Sequence, residues 1–186
     1  MADIHYLDNP LETEELLELL CPPVRNWFKD KFPDFTDPQK LAIPAIMDQE
    51  HLLLCSPTGS GKTLTAFLTI IDQLVRRALD NKLDKRVYCV YISPIKALAN
   101  DIQRNLIGPL TEISETYLPS RAQEIRVGLR TGDTPQSERQ KMLRNPPHIL
   151  ITTPESLAIA ITSPRFQPIV SEVEYMIVDE LHSLVP

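Results

Sequence analysis

The chain has 186 residues, 42% of them hydrophobic and 24% charged, and a formal net charge of −6. That length suits one domain with a proper core, and the acidic balance excludes binding of polyanions through bulk charge, so any nucleic-acid contact must be local. With no apolar run near the ~20 residues that span a bilayer, no signal-peptide pattern in MADIHYLDNP and three cysteines without metal-ligand spacing, the setting implied is cytoplasmic and reducing, with no membrane.

Asn9-Pro10 reads as the cap and first residue of a short helix carrying Leu16, Leu17, Leu19 and Leu20, stopped by Pro22-Pro23. A second short helix follows, with Val24, Trp27 and Phe28 at helical spacing and read as core. Thr36-Asp37-Pro38 caps a third, which Pro44 is expected to bend or shorten. From residue 51 the texture changes to short apolar runs: HLLLC (51–55), VYCVYI (87–92), IRVGL (125–129), HILIT (148–152) and EYMIV (174–178). Continuous apolarity predicts strands buried on both faces. Cys55 and Cys89 lie in these runs and read as small buried hydrophobes. Between the runs, helices are predicted over 62–79, 95–107, 135–144 and 155–161. Strand–helix repetition implies an α/β domain, a mostly parallel sheet with helices on both faces. Ligands of such sheets collect where the chain leaves the carboxyl ends of the strands.

SPTGSGKT, residues 56–63, follows the first predicted strand and opens a helix. Gripping a triphosphate requires backbone N–H groups turned inward, which asks for residues free to take unusual torsions. Ser56, Thr58, Gly59, Ser60 and Gly61 are the candidate cradle, Lys62 reaches the outer phosphates of ATP, and the Thr63 hydroxyl is a ligand for Mg²⁺. The usual pattern starts with Gly where this chain has Ser56. A carboxylate for the metal stands about 117 residues after Lys62, in YMIVDELH: Asp179 for Mg²⁺, with Glu180 to orient and deprotonate the attacking water. Lys62 and Glu180 are thus the catalytic candidates.

SPTGSGKT and DELH resemble motifs I and II of superfamily 2 helicases of the DExH type. SPIKAL (93–98), RTGDT (130–134) and TTPESL (152–157) are similar, in the right order, to the nucleic-acid motifs of that group, and SPIKALANDIQRNL, RTGDTP, PPHILITTPESL and VDELHSL resemble the large helicase-related (Lhr) family. The resemblance implies a RecA-like P-loop NTPase fold over 49–186, preceded by a helical segment, 1–48, carrying an adenine-reading glutamine, Gln39. It implies that Ser93, Pro94, Lys96, Gly132, Thr153, Pro154 and Glu155 track the backbone of single-stranded DNA or RNA, drawn from a duplex substrate, and that His182 couples the two sites. Ser93-Pro94 and Thr153-Pro154 also fit as caps of the helices that follow; the roles coexist, because a cap leaves free amides for an anion.

The family pattern continues past DELHSL with a Ser/Thr-rich motif and a second RecA-like domain bearing an arginine finger. The 186 residues are therefore expected to be a first motor domain, truncated at its C-terminal end, that turns ATP over slowly by itself. Two other readings are a different P-loop NTPase, such as a transporter ATPase or small-molecule kinase, and a nucleic-acid-binding or annealing module without productive hydrolysis.

Overall fold

The computed structural model describes residues 4–57, 59–94 and 101–181. The first helix, α1 (Thr13–Leu19), begins three residues later than Asn9-Pro10 suggested. Its start is set by a reciprocal cap between Glu12 and Glu15, the Glu15 carboxylate accepting from the Glu12 amide at 2.9 Å. The two prolines that end it open α2 (Pro22–Lys31), where their missing N–H groups are harmless.

Helix α3 (Asp37–Met47) includes Pro44 and continues three residues beyond it. A proline deprives the carbonyl four residues back of its donor. That carbonyl belongs to Lys40, and the Leu11 amide from the segment before α1 donates to it at 3.2 Å. The acceptor that Pro44 leaves open is thus satisfied by another part of the chain.

Helix α4 (Lys62–Leu79) spans the predicted range to the residue and buries Leu64, Phe67, Leu68, Ile71, Leu74 and Val75. It also buries Asp72 completely. This carboxylate accepts from the Cys21 amide at the head of α2 (2.6 Å) and from Arg76 Nε (2.7 Å), while Arg76 donates to the Leu19 carbonyl at 2.6 Å. The N-terminal helices are thereby bolted to α4, and Leu16, Leu20, Val24, Trp27 and Phe28 share one core with Phe67 and Ile71.

Among the described residues four strands form the sheet: β1 (Cys89–Ile92), β2 (Val127–Arg130), β3 (Ile149–Thr152) and β4 (Tyr175–Val178), ordered β2-β3-β1-β4 and parallel throughout. The central strands β1 and β3 are buried along their whole length. Side chains alternate between faces. Cys89, Tyr91, Ile149 and Ile151 enter the core under α1, α2 and α4, whereas Val90, Ile92 and Leu150 pack with Ala160 and Phe166 on the other side. The second face is covered by α6 (Gln136–Arg144), α7 (Pro154–Ile161) and the short α8 (Gln167–Val170). Between β1 and β2, a π-helical turn (Gln103–Ile107) runs into α5 (Gly108–Thr116), nine residues beyond the predicted end at 107. The first part of that prediction, 95–100, lies outside the described residues.

The run at 51–55 corrects a predicted strand. It joins no ladder, and Leu53 is 73% exposed. Cys55, expected to be buried, is exposed as well. A strand needs a neighbour to satisfy its backbone, and apolarity alone does not supply one. Strand β4 is paired on one side, to β1, and exposes Met176 and Val178. Cys21 and Cys89 are buried, and burial pushes both thiols up, Cys21 to about 12 with help from Asp72. Among the described residues no helix is long and apolar enough to cross a membrane.

Candidate functional site

Because every pair is parallel, all four strands deliver their following residues to one rim. That rim is stitched together by hydrogen bonds: the Ser93 amide donates to the Thr152 carbonyl (3.2 Å), the Asp179 amide to the Ile92 carbonyl (2.9 Å), and the Thr152 hydroxyl to the Arg130 carbonyl (2.7 Å). In spatial order it presents the turn at 131–134, then Thr153, Ser93 and Asp179.

The phosphate-turn candidate leads into α4. Gly61, its N-cap, has φ +85° and Gly59 has φ +82°, in the left-handed region that an L side chain resists. The Gly61 carbonyl receives both the Thr65 amide and the Thr65 hydroxyl, each at 2.8 Å. Lys62 curls back over the turn, its Nζ donating to the Pro57 carbonyl at 2.7 Å and to the Ser56 carbonyl. Ser56, the departure from the usual glycine, is not among the residues with positive φ, and its hydroxyl lies 2.5 Å from that of Ser60. The entry position thus needs no glycine, and serine adds a link across the turn. Thr58 lies outside the described residues.

Gln39 is 3% exposed rather than a surface residue. It is the third residue of α3, and its Oε1 accepts from the Thr36 amide at 2.9 Å, completing a reciprocal cap. Its Nε2 faces Gly61, and the Thr36 hydroxyl donates to the Ser60 carbonyl at 3.0 Å. The head of α3 is therefore held against the turn by the Thr36 hydrogen bond and by the close approach of Gln39 to Gly61, whereas the sequence suggested only a helix cap for Thr36.

Asp179 comes directly after β4. Ile177 is the register partner of Tyr91, and alternation puts Asp179 on the same face, under α4. The Tyr91 hydroxyl donates to Asp179 Oδ2 at 2.5 Å, and the Tyr91 ring lies 4.8 Å, centroid to centroid, from Phe67 of α4. Phe67 is five residues beyond Lys62, about 7.5 Å along the helix axis. The head of α4 and the carboxylate after β4 thus converge on one end of one face through Tyr91. Burial, and then the bond to Asp179, raises the Tyr91 phenol well above its ordinary range, so it stays a donor. Nothing in VYCVYI distinguished Tyr91 from core. Glu180 has φ +52°, and its amide donates to Asp179 Oδ1 at 2.9 Å. That left-handed residue ends the strand's alternation and leaves Glu180 exposed. His182 lies outside the described residues.

Among the described residues no group of three or more His, Cys, Asp or Glu side chains could hold a metal ion. The candidate metal donors, the Asp179 carboxylate and the Thr63 hydroxyl, are hard oxygens. They fit Mg²⁺, which is usually held by one or two carboxylates together with substrate phosphates and waters.

The other three strand ends carry the candidate nucleic-acid residues. Gly132 and Glu155 are exposed, Pro94 and Pro154 half-buried, and Ser93 and Thr153 buried. Thr153 is the N-cap of α7, its hydroxyl accepting from the Ser156 amide at 3.4 Å. The capping expectation holds there. The loop at 131–134 is held by residues the sequence did not single out. Arg139 donates to the carbonyls of Thr134 (2.9 Å), Gly132 (2.8 Å) and Thr131 (3.3 Å), and the Thr134 hydroxyl accepts from the Thr131 amide at 2.8 Å. Arg130 stacks on Phe166, 4.3 Å from its centroid, and is pulled down by burial and by Arg139. Two guanidinium groups therefore stand at this end of the rim of an acidic chain. Lys96 lies outside the described residues.

The family profile described as DEAD/DEAH box helicase matches residues 36–185. The chain is 50% identical over 186 residues to the ATP-dependent helicase Lhr-Core of Methanocaldococcus jannaschii, covering 99% of this chain and 22% of that protein. It is 44% identical over 185 residues to the Lhr helicase/uracil glycosylase of Escherichia coli, covering 95% of this chain and 12% of that protein. Among solved structures it matches Mycobacterium smegmatis helicase Lhr bound to ssDNA and AMP-PNP, with a TM-score of 0.77 and 41% identity over 90% of this chain and 21% of that one. The DEAD-box helicase Mss116, bound to ssRNA and UDP-BeF, matches with a TM-score of 0.73 at 23% identity over 97% of this chain and 35% of that one, a likeness of fold. The chain thus spans about a fifth or less of the Lhr proteins it matches.

Proposed function

Since the chain belongs to the DEAD/DEAH box helicase family, as a first RecA-like domain of Lhr type, we propose that it binds Mg·ATP between the 56–63 turn and Asp179 and, within a chain of its relatives' length, couples ATP hydrolysis to movement along a single nucleic-acid strand. The observation that carries this reading is the convergence described above: Phe67 on Tyr91, and Tyr91 on Asp179, at the rim that also carries the 131–134 turn, Thr153 and Ser93. The Lhr relative with ssDNA and AMP-PNP bound supports both ligands at once.

In this reading Lys62 leaves the Ser56 and Pro57 carbonyls for the outer phosphates, while the amides at the head of α4 face the same anion. Gln39 keeps its bond to Thr36 and offers its remaining donor and lone pair to the adenine edge. Thr63 and Asp179 hold Mg²⁺, which when bound neutralises the developing phosphate charge. Glu180 orients a water and takes its proton as that water bonds to the terminal phosphorus; the bond to the bridging oxygen breaks, and ADP and phosphate leave. The strand runs past the ends of β2, β3 and β1, contacting phosphates through the loop that Arg139 braces and through the amides after Thr153, without reading bases. A second RecA-like domain in the longer chain completes the track and the site.

ATP turnover with and without single-stranded DNA or RNA, on a chain of the relatives' length, tests this. The expected result is strand-stimulated hydrolysis that Glu180→Gln abolishes while nucleotide binding persists; unchanged turnover in that variant removes Glu180 from the role of base. Turnover indifferent to any strand leaves the reading as a non-helicase NTPase standing instead.

A further inference from the structure

We propose that Tyr91 is a positioning residue for the metal carboxylate, setting the affinity for Mg²⁺ from outside the metal's own ligands; this rests on Asp179 being a metal ligand, as proposed above. Asp179 follows the last residue of an edge strand that pairs on one side, and the next residue, Glu180, turns away with φ +52°. A carboxylate at such a place has little to fix its rotation. Two bonds fix it here. The Glu180 amide holds Oδ1 at 2.9 Å, a local contact that follows the backbone wherever it goes. The Tyr91 hydroxyl holds Oδ2 at 2.5 Å from a different strand, and is the contact that ties the carboxylate to the rest of the fold.

Tyr91 suits that task. It is 2% exposed and sits in β1 between β3 and β4. Its ring is wedged against Phe67 on the helix that begins with Lys62, so ring and hydroxyl together set the spacing between the head of α4 and Asp179. Each carboxylate oxygen has a further lone pair, so both bonds persist when the metal arrives. Partners of this kind, which orient a ligand without touching the ion, typically change metal affinity 10–100-fold when removed. A phenol buried for packing alone would have no reason to place its hydroxyl on this carboxylate rather than on a backbone carbonyl.

The test is Tyr91→Phe, which keeps the ring against Phe67 and removes only the hydroxyl. The probe is a fluorescent, non-hydrolysable ATP analogue, titrated with Mg²⁺ and, separately, in chelator without metal, on wild type, Tyr91→Phe and Asp179→Asn. The expected result is a half-saturating Mg²⁺ concentration raised about tenfold or more in Tyr91→Phe and raised further in Asp179→Asn, with metal-free nucleotide affinity unchanged in Tyr91→Phe. Wild-type Mg²⁺ dependence in Tyr91→Phe beside a loss in Asp179→Asn would overturn the role of Tyr91 and leave the site standing. Unchanged dependence in both variants would overturn the site reading and this inference with it. An equal loss of affinity with and without metal would mark Tyr91 as packing, and would also overturn it.

Discussion

Three glycines of this chain predict three different outcomes for the same added methyl group. At Gly132 there is nothing within 4 Å of the new Cβ and no left-handed φ, so Ala there should be neutral, or stabilising by up to about 0.5 kcal/mol through the unfolded state. At Gly59 the space is equally open but φ is +82°, so Gly59→Ala carries the torsional cost alone, about 1 kcal/mol. At Gly61 φ is +85° and the new Cβ would stand 2.9 Å from Gln39 Nε2, closer than such contacts occur. Gln39 is buried and locked by the bond from its Oε1 to the Thr36 amide, so it moves only by giving up the cap of α3, worth about another 1 kcal/mol. Gly61→Ala should therefore cost about 2–3 kcal/mol in all. Urea unfolding, followed by the shift in midpoint at constant slope, reads all three. The order Gly132, Gly59, Gly61 is the prediction. A Gly61→Ala no worse than Gly59→Ala would refute the claim that the head of α3 is packed against the phosphate turn.

Asp72 is completely buried and joins the head of α2 to α4, so Asp72→Ala should cost about 3 kcal/mol by stranding the Cys21 amide and freeing Arg76, which is itself half-exposed. Asp72→Asn, which keeps an acceptor, should cost less than half of that; equal midpoints for the two variants would contradict the role given to the amide bond. His148 is 1% exposed with Nε2 2.8 Å from the Arg126 guanidinium, and burial, then that charge, pulls it down to about 4 from an ordinary 6.5. The folded state holds the ring neutral while the unfolded chain takes a proton near 6.5, so this stability is complete above that pH, shrinks as pH falls, and levels off below about 4. Its ceiling is about 3 kcal/mol. Thermal midpoints between pH 7 and 4 should fall less steeply in His148→Gln than in wild type, and parallel slopes would refute the assignment.

What the sequence made legible follows from where its signals are local. The turn at 56–63 could be read because positive φ demands glycine at two positions, and α4 matched its predicted span because one apolar stripe runs its whole length. Strands β1, β3 and β4 fell inside their apolar runs, and β2 within one residue of its own. The readings that changed depended on partners far along the chain. Helix α3 continues past Pro44 with Leu11 on the carbonyl that the proline orphans, and 51–55 is no strand because no described neighbour pairs with it. Helix α5 was hidden by Gly108-Pro109, which looks like a stop. The π-helical turn before it carries the chain through, the Gly108 amide donating to the Gln103 carbonyl. In the candidate site, Lys62 and Asp179 stood out by spacing, and Gln39 by the family resemblance. Tyr91 and Thr36 act through single hydrogen bonds to distant residues, and Arg139 through three to the carbonyls of the turn before it; nothing in their local sequence announces such bonds.

The central claim is that the turn before α4 and the acid after β4 serve a single ligand. Determining the structure with Mg²⁺ and AMP-PNP bound tests it most directly. The account predicts continuous metal–phosphate density touching Lys62, Thr63 and Asp179 together, with Tyr91 still on the Asp179 carboxylate. Nucleotide density bounded by the turn alone, with Asp179 facing away from it, would contradict it.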